Sequence, residues 1–224
     1  MPVIRRSGAE ADAARAARAL QAVPMDAFSE RVFESTMEKG YRGTLYEVDA
    51  LSSMKKTAAY EAAYKKLTGS DTKDGNGYFG DISKMMELVR EHSVADPLRP
   101  IKPIAKGLRE ALIKRLRLSP QEATKLRFYS AVQSGFLDSK HHIDGWFEYV
   151  PDQGAMRWIG IDVTKRQVGD KKDVQTSISV NRIPPDPETE DEKRAFAYLI
   201  DKYANELAKQ LEQTVEQDRR NRSK

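Results

Sequence analysis

The sequence predicts an α/β protein: a small mixed or antiparallel-edged sheet flanked by helices, following a helical N-terminal region. Three observations carry that expectation. Residues 143–150, 156–163 and 174–180 are rich in β-branched and aromatic side chains and read as strands. Several other segments repeat apolar residues three or four positions apart, the helical period. Helix-start and helix-stop residues sit at the ends of many of these segments.

In chain order, residues 1–7 read as a basic arm and residues 9–22, rich in alanine and arginine, as a helix interrupted by Pro24. Asp26 is placed to cap a second helix running to about Lys39 and stopped by Gly40. Residues 44–48 suit either a strand or an extended connection. Residues 52–67 read as an amphipathic helix through Met54, Ala58, Ala62 and Leu67. The stretch 69–80 is a glycine-rich loop whose Asp71, Asp74 and Asn76 only faintly resemble a calcium loop, since the terminal glutamate is absent. Residues 82–92 form a helix with Ile82, Met85, Met86 and Val89 on its packing stripe.

The proline-punctuated run 96–103 divides a helical region, 1–98, from an α/β region, 99–224. Helices are expected over 104–116 and 121–132, the second opened by Ser119, Pro120 and Glu122 as N-cap, first-turn proline and capping-box acid. Pro151, Asp152, Gln153 and Gly154 read as a hairpin loop between the first two strands. The polar stretch 166–173 suits a turn into an antiparallel third strand, and a fourth strand is expected but has no obvious place. A long helix over 192–215 closes the fold, with its end from Arg219 fraying.

Composition narrows the function classes. With no cysteine, disulfides, thiolate catalysis and cysteine-bound zinc are excluded. The three histidines, His92, His141 and His142, are too few and too poorly spaced for a structural zinc site. No apolar run reaches membrane-spanning length and no signal-peptide core is evident, so the cytoplasm is the default location and no membrane partner is expected. The net charge of +4 says little until its distribution is considered. Arg99, Lys102, Lys106, Arg109, Lys114, Arg115 and Arg117 face the single acid Glu110 over residues 99–117. Such a run attracts a polyanion, and it equally suits a solvated helix face.

Asp144 and Asp162 sit inside apolar strand sequence, among Ile143, Trp146, Ile159 and Ile161. A carboxylate in such surroundings is costly unless its charge is compensated, and a divalent cation compensates two at once. On the first strand Asp144, Trp146 and Glu148 share a face, on the second Gly160, Asp162 and Thr164 share a face, and hairpin pairing can bring Asp144 and Asp162 close enough for one cation. His141 and His142 read as hydrogen bonders at the strand entrance, and Trp146 and Trp158 as packing residues with base stacking as the alternative.

The order helix, Asp-bearing strand, turn, acid-bearing strand, third strand, helix resembles the PD-(D/E)xK nuclease superfamily over roughly residues 119–180. The resemblance implies a mixed sheet flanked by helices, magnesium or manganese held by Asp144 and Asp162, and hydrolysis of phosphodiester bonds, with DNA favoured. It further implies Glu122 as a third carboxylate. The sequence departs from the pattern in two places: Ile143 stands where a proline is usual, and Thr164 stands at the lysine position, with Lys165 one residue late. In a regular strand Lys165 points away from Asp162, so a bulge or Lys125 would have to supply the auxiliary cation. Lys172 or Gln175 would belong to the rear of the site. The alternatives are a catalytically inactive nucleic-acid-binding protein on the same scaffold, or a structural assembly protein in which the terminal helices make homo-oligomer or partner contacts.

Overall fold

The strand Gly145–Tyr149 (β2) is buried at every position, which means that both of its faces are covered. The computed structural model describes residues 24–37, 44–69, 81–164 and 177–224. The expected arm and first helix, the loop over 70–80, and Lys165, Lys172 and Gln175 all lie outside those residues. Within them, β1 (Leu126–Ser130), β2, β3 (Arg157–Thr164) and β4 (Ser177–Asn181) form one sheet in the order β1-β2-β3-β4. β1 and β2, and β2 and β3, pair antiparallel, whereas β3 and β4 run parallel. The sheet is therefore mixed, as the fold class anticipated.

Helices cover both faces. In chain order they are α1 (Met25–Met37), α2 (Thr44–Leu51), α3 (Ala58–Thr68), α4 (Ile82–His92), α5 (Pro103–Arg115), α6 (Pro120–Ala123), α7 (Phe136–His141) and α8 (Glu190–Arg222). One face of the sheet presents Leu126, Phe128, Phe147, Tyr149, Ile161 and Val163 to α2, α5 and α8. The other presents Tyr129 and Trp146 to α3, α4 and α7. Trp146, fully buried, stacks on Tyr129 with ring centroids 5.1 Å apart, so it serves packing. The first core also draws Tyr46, Ala50 and Leu51 from before the proline-rich run, and the second draws Tyr60, Tyr64 and Met85. Residues on both sides of that run thus share each core.

Several elements differ from the sequence reading. Residues 44–51 are helical: Tyr46, Ala50 and Leu51, spaced as one helix face, are buried, and the Tyr46 hydroxyl donates to the Ile183 carbonyl at 2.7 Å. The next helix starts at Ala58, where the Thr57 hydroxyl accepts from the Tyr60 amide, and residues 52–57 are non-helical. The strong start signal at Ser119 opens a helix of only 4 residues. The expected helix over 121–132 is largely replaced by β1, because Leu126 and Phe128 alternate with Arg127 and Tyr129 to fill the free edge of β2. This is the strand the sequence left unplaced. β4, described over Ser177–Asn181, is parallel to β3, where an antiparallel strand was expected; a parallel neighbour needs a longer return than a hairpin turn. α8 continues to Arg222 without fraying at Arg219, since Arg219 and Arg222 are both paired to Glu122.

Arg109 ties α5 to this sheet. Its guanidinium donates to the carbonyls of Leu126 (3.1 Å) and Ala123 (2.7 Å). Arg109→Ala is expected to lower the unfolding free energy by about 2 kcal/mol, by removing a charged donor from two carbonyls. Urea denaturation measures this, and an unchanged midpoint would refute it.

Candidate metal centre

The β1–β2 ladder ends at Ser130↔Gly145, and the β2–β3 ladder ends at Gly145↔Ile161. Counting one step further along the second ladder sets Asp144 opposite Asp162, and directly opposed residues share a face. Backbone bonds hold Asp144 there: its amide donates to Ile161 at 2.9 Å, and its carbonyl accepts from Ala131 at 2.7 Å. The neighbouring Gly145 allows the strands to close up, because a Cβ there would meet the Tyr129 carbonyl oxygen and the Phe128 ring at 2.9 Å.

Two further acids reach this end of the sheet. α2 passes beside it, with the Ser52 carbonyl accepting from the Ser130 hydroxyl at 2.6 Å, and carries Glu47. α7 carries Asp138, whose carboxylate accepts from the Gln133 amide at 2.7 Å. Oxygens of Glu47, Asp138 and Asp144 lie within 4.8 Å of one another, the first two partly buried and Asp144 buried. Among the described residues this is the set of acids that can coordinate a metal ion.

The electrostatics are those of crowded negative charge. Burial pushes the Asp144 carboxyl well above the usual carboxylate range, and Asp162, Glu47 and Asp138 push it further. The single amide donated by Val163, at 2.6 Å, pulls the other way without offsetting them. Asp138 is also raised, mainly by burial and in part by Asp162; His142 and Lys56 oppose that shift. Three hard oxygen donors at this spacing fit a cation such as Mg²⁺ or Mn²⁺ in donor type and charge.

The residues expected from sequence divide into those at this end and those elsewhere. Asp144 belongs to the tight set. Asp162 is close enough to raise both Asp144 and Asp138, but it lies outside that set. Thr164 is buried in β3, two residues beyond Asp162. His141 packs edge-on against Phe136 at 4.7 Å, and His142 caps α7; neither joins the acids.

Glu122 and Lys125 are not brought to this site. They precede β1 at the Leu126↔Tyr149 end, five residue steps or roughly 17 Å along the strands from Asp144. Glu122 closes the Ser119 capping box and binds Arg219 at 3.0 Å and Arg222 at 2.7 Å, which holds its carboxyl well below the usual range. The Lys125 ammonium binds Asp152 at 2.5 Å and the buried Asp218 at 3.0 Å. Of the basic run, Lys102 pairs with Asp49 at 3.5 Å and Arg115 with Asp201 at 2.5 Å, Arg109 is held by carbonyls, and Lys106, Lys114 and Arg117 are exposed.

Glu47 and Asp138 were missed by sequence reasoning. The signal for Glu47 was the helical spacing of Tyr46, Ala50 and Leu51 around it; Asp138 carried no local signal beyond being an acid near His141. Comparisons of the chain with family models, with curated proteins and with solved structures give no match. No helix among the described residues is long and apolar enough to cross a membrane.

Proposed function

We propose that the chain is a divalent-metal-dependent nuclease of the PD-(D/E)xK type that hydrolyses phosphodiester bonds, with DNA as the favoured substrate. The observation that carries this reading is the convergence of Glu47, Asp138 and Asp144 on one end of a mixed sheet, with Asp162 beside them. When bound, a divalent cation supplies Lewis acidity toward a phosphate and lowers the pKa of an attacking water. Glu47, Asp138 and Asp144 hold it, and Asp162 adds negative potential that favours its binding. Val163 fixes one Asp144 oxygen through its amide, which limits the reorientation of that ligand. Lys56, exposed and with its charge felt by Asp138, would offset charge on a phosphodiester in the role of the lysine that Thr164 replaces.

Labelled DNA incubated with Mg²⁺ or Mn²⁺ tests the reading. Cleavage is expected, quenched by EDTA and lost in Asp138→Asn, which retains an acceptor for the Gln133 amide. Cleavage that survives in the variant would overturn the assignment. A second reading, a nucleic-acid-binding or assembly protein on the same scaffold without hydrolysis, is favoured by Thr164 at the lysine position. It expects salt-dependent binding and no cleavage with either metal.

A further inference from the structure

Residues 51–55, at the end of the helix that carries Glu47 and just beyond it, form one wall of a pocket of about 220 Å³. The opposite wall is the loop over 93–101, held along β1 by the bond from the Phe128 amide to the Pro97 carbonyl at 2.8 Å. Ser130, whose ladder partner Gly145 follows Asp144, lines its inner end. One cross-strand step and one residue along the strand, at right angles and together roughly 6 Å, separate Ser130 from the Asp144 backbone.

The pocket's chemistry is specific. Met54 and Phe128 line it, and Val94 (65% exposed) and Ile101 (82% exposed) stand at its rim as large apolar side chains left to solvent. Lys55 and Arg99 flank this apolar interior. The one acid lining it, Asp96, has a carboxylate oxygen occupied by the Leu98 amide at 2.9 Å. Arg99 also lines an adjoining open basin with Lys106 and Arg109, opposed there by Glu110. Cations therefore run along a groove whose apolar recess is smaller than the usual pocket of a drug-sized ligand. A flat ring with phosphates on either side matches that pattern: apolar walls take the base, and the cations track the backbone. A duplex keeps its bases stacked and cannot fill such a recess.

We propose that this pocket receives an unpaired nucleobase of the substrate strand, so that the substrate is nucleic acid with a single-stranded segment beside the bond to be cut. This rests on the hydrolytic reading above for its place in the reaction, but not for the binding itself.

The test is fluorescence anisotropy with the full chain in EDTA, so that no strand is cut, comparing labelled oligodeoxythymidine with a blunt duplex of equal length. The wild type should bind the single strand more tightly. Val94→Ser/Ile101→Ser changes exposed side chains only and adds no charge, and circular dichroism checks its fold; it should weaken single-strand binding about tenfold and leave the duplex unchanged. Arg99→Ala should reduce the salt slope by about one ion. No preference for the single strand, or equal affinity in the double variant, overturns the proposal, as does failure of the oligonucleotide to bind, the result expected if the pocket takes a peptide. If the wild type cleaves but the pocket variant binds normally, only the pocket assignment falls. Pocket-dependent binding without metal-dependent cleavage removes only the hydrolytic reading.

Discussion

Asp144→Asn should abolish metal-dependent cleavage, by at least about 10³-fold or some 4 kcal/mol of barrier, without destabilising the metal-free protein. The two halves of that expectation have one cause. Asp144 is buried beside Glu47, Asp138 and Asp162, which raise its pKa; without a cation its ionised form is a cost to the fold. Asparagine removes the charge, keeps nearly the same volume and still accepts from the Val163 amide. Metal-free stability should therefore hold or rise by about 1 kcal/mol, while the thermal shift that Mn²⁺ gives the wild type through binding only the folded state should vanish. Differential scanning fluorimetry with and without Mn²⁺, run alongside the cleavage assay, separates this from a structural role. A purely structural Asp144 would give the opposite result: a lower melting temperature with the metal shift intact.

The β-branched and aromatic residues along 143–150 and 156–163 were enough to locate both central strands, and the hairpin between them was enough to bring Asp144 and Asp162 near each other. These are local signals, and the hairpin is short. What escaped depends on contacts distant in sequence. The strand at 126–130 follows a strong helix-start box, and only the free edge of β2 decides that the chain extends after Ala123. Residues 44–51 have no autonomous preference strong enough to identify them; the helix is fixed by Tyr46 reaching Ile183 and by burial of Ala50 and Leu51. Glu47 arrives at the acids only because that helix crosses the sheet end. Glu122 was misplaced for a related reason. An acid near a catalytic-looking hairpin in sequence stands at the far end of the same strands in space.

Glu122→Gln carries the second large expected effect, on stability rather than chemistry. Glutamine can still serve the Ser119 capping box, so the substitution isolates the charge shared with Arg219 and Arg222. At pH 7 the loss should be about 2 kcal/mol, a value set by charged hydrogen bonds to a buried carboxylate and reduced because the arginines are partly exposed. Its pH dependence has a definite sign. The folded state holds the Glu122 carboxyl well below its usual range, chiefly through Arg219, so between the two values the unfolded chain binds more protons. The stabilisation is thus fully present above the unfolded value of about 4.3 and is lost as pH falls through the folded value. Urea denaturation of both proteins from pH 7 to pH 3 should show the gap between wild type and Glu122→Gln narrowing only below about pH 4.5. A gap that stays constant across that range would mean the two arginines do not act on Glu122 through charge, and that the anchor of α8 onto α6 is packing alone.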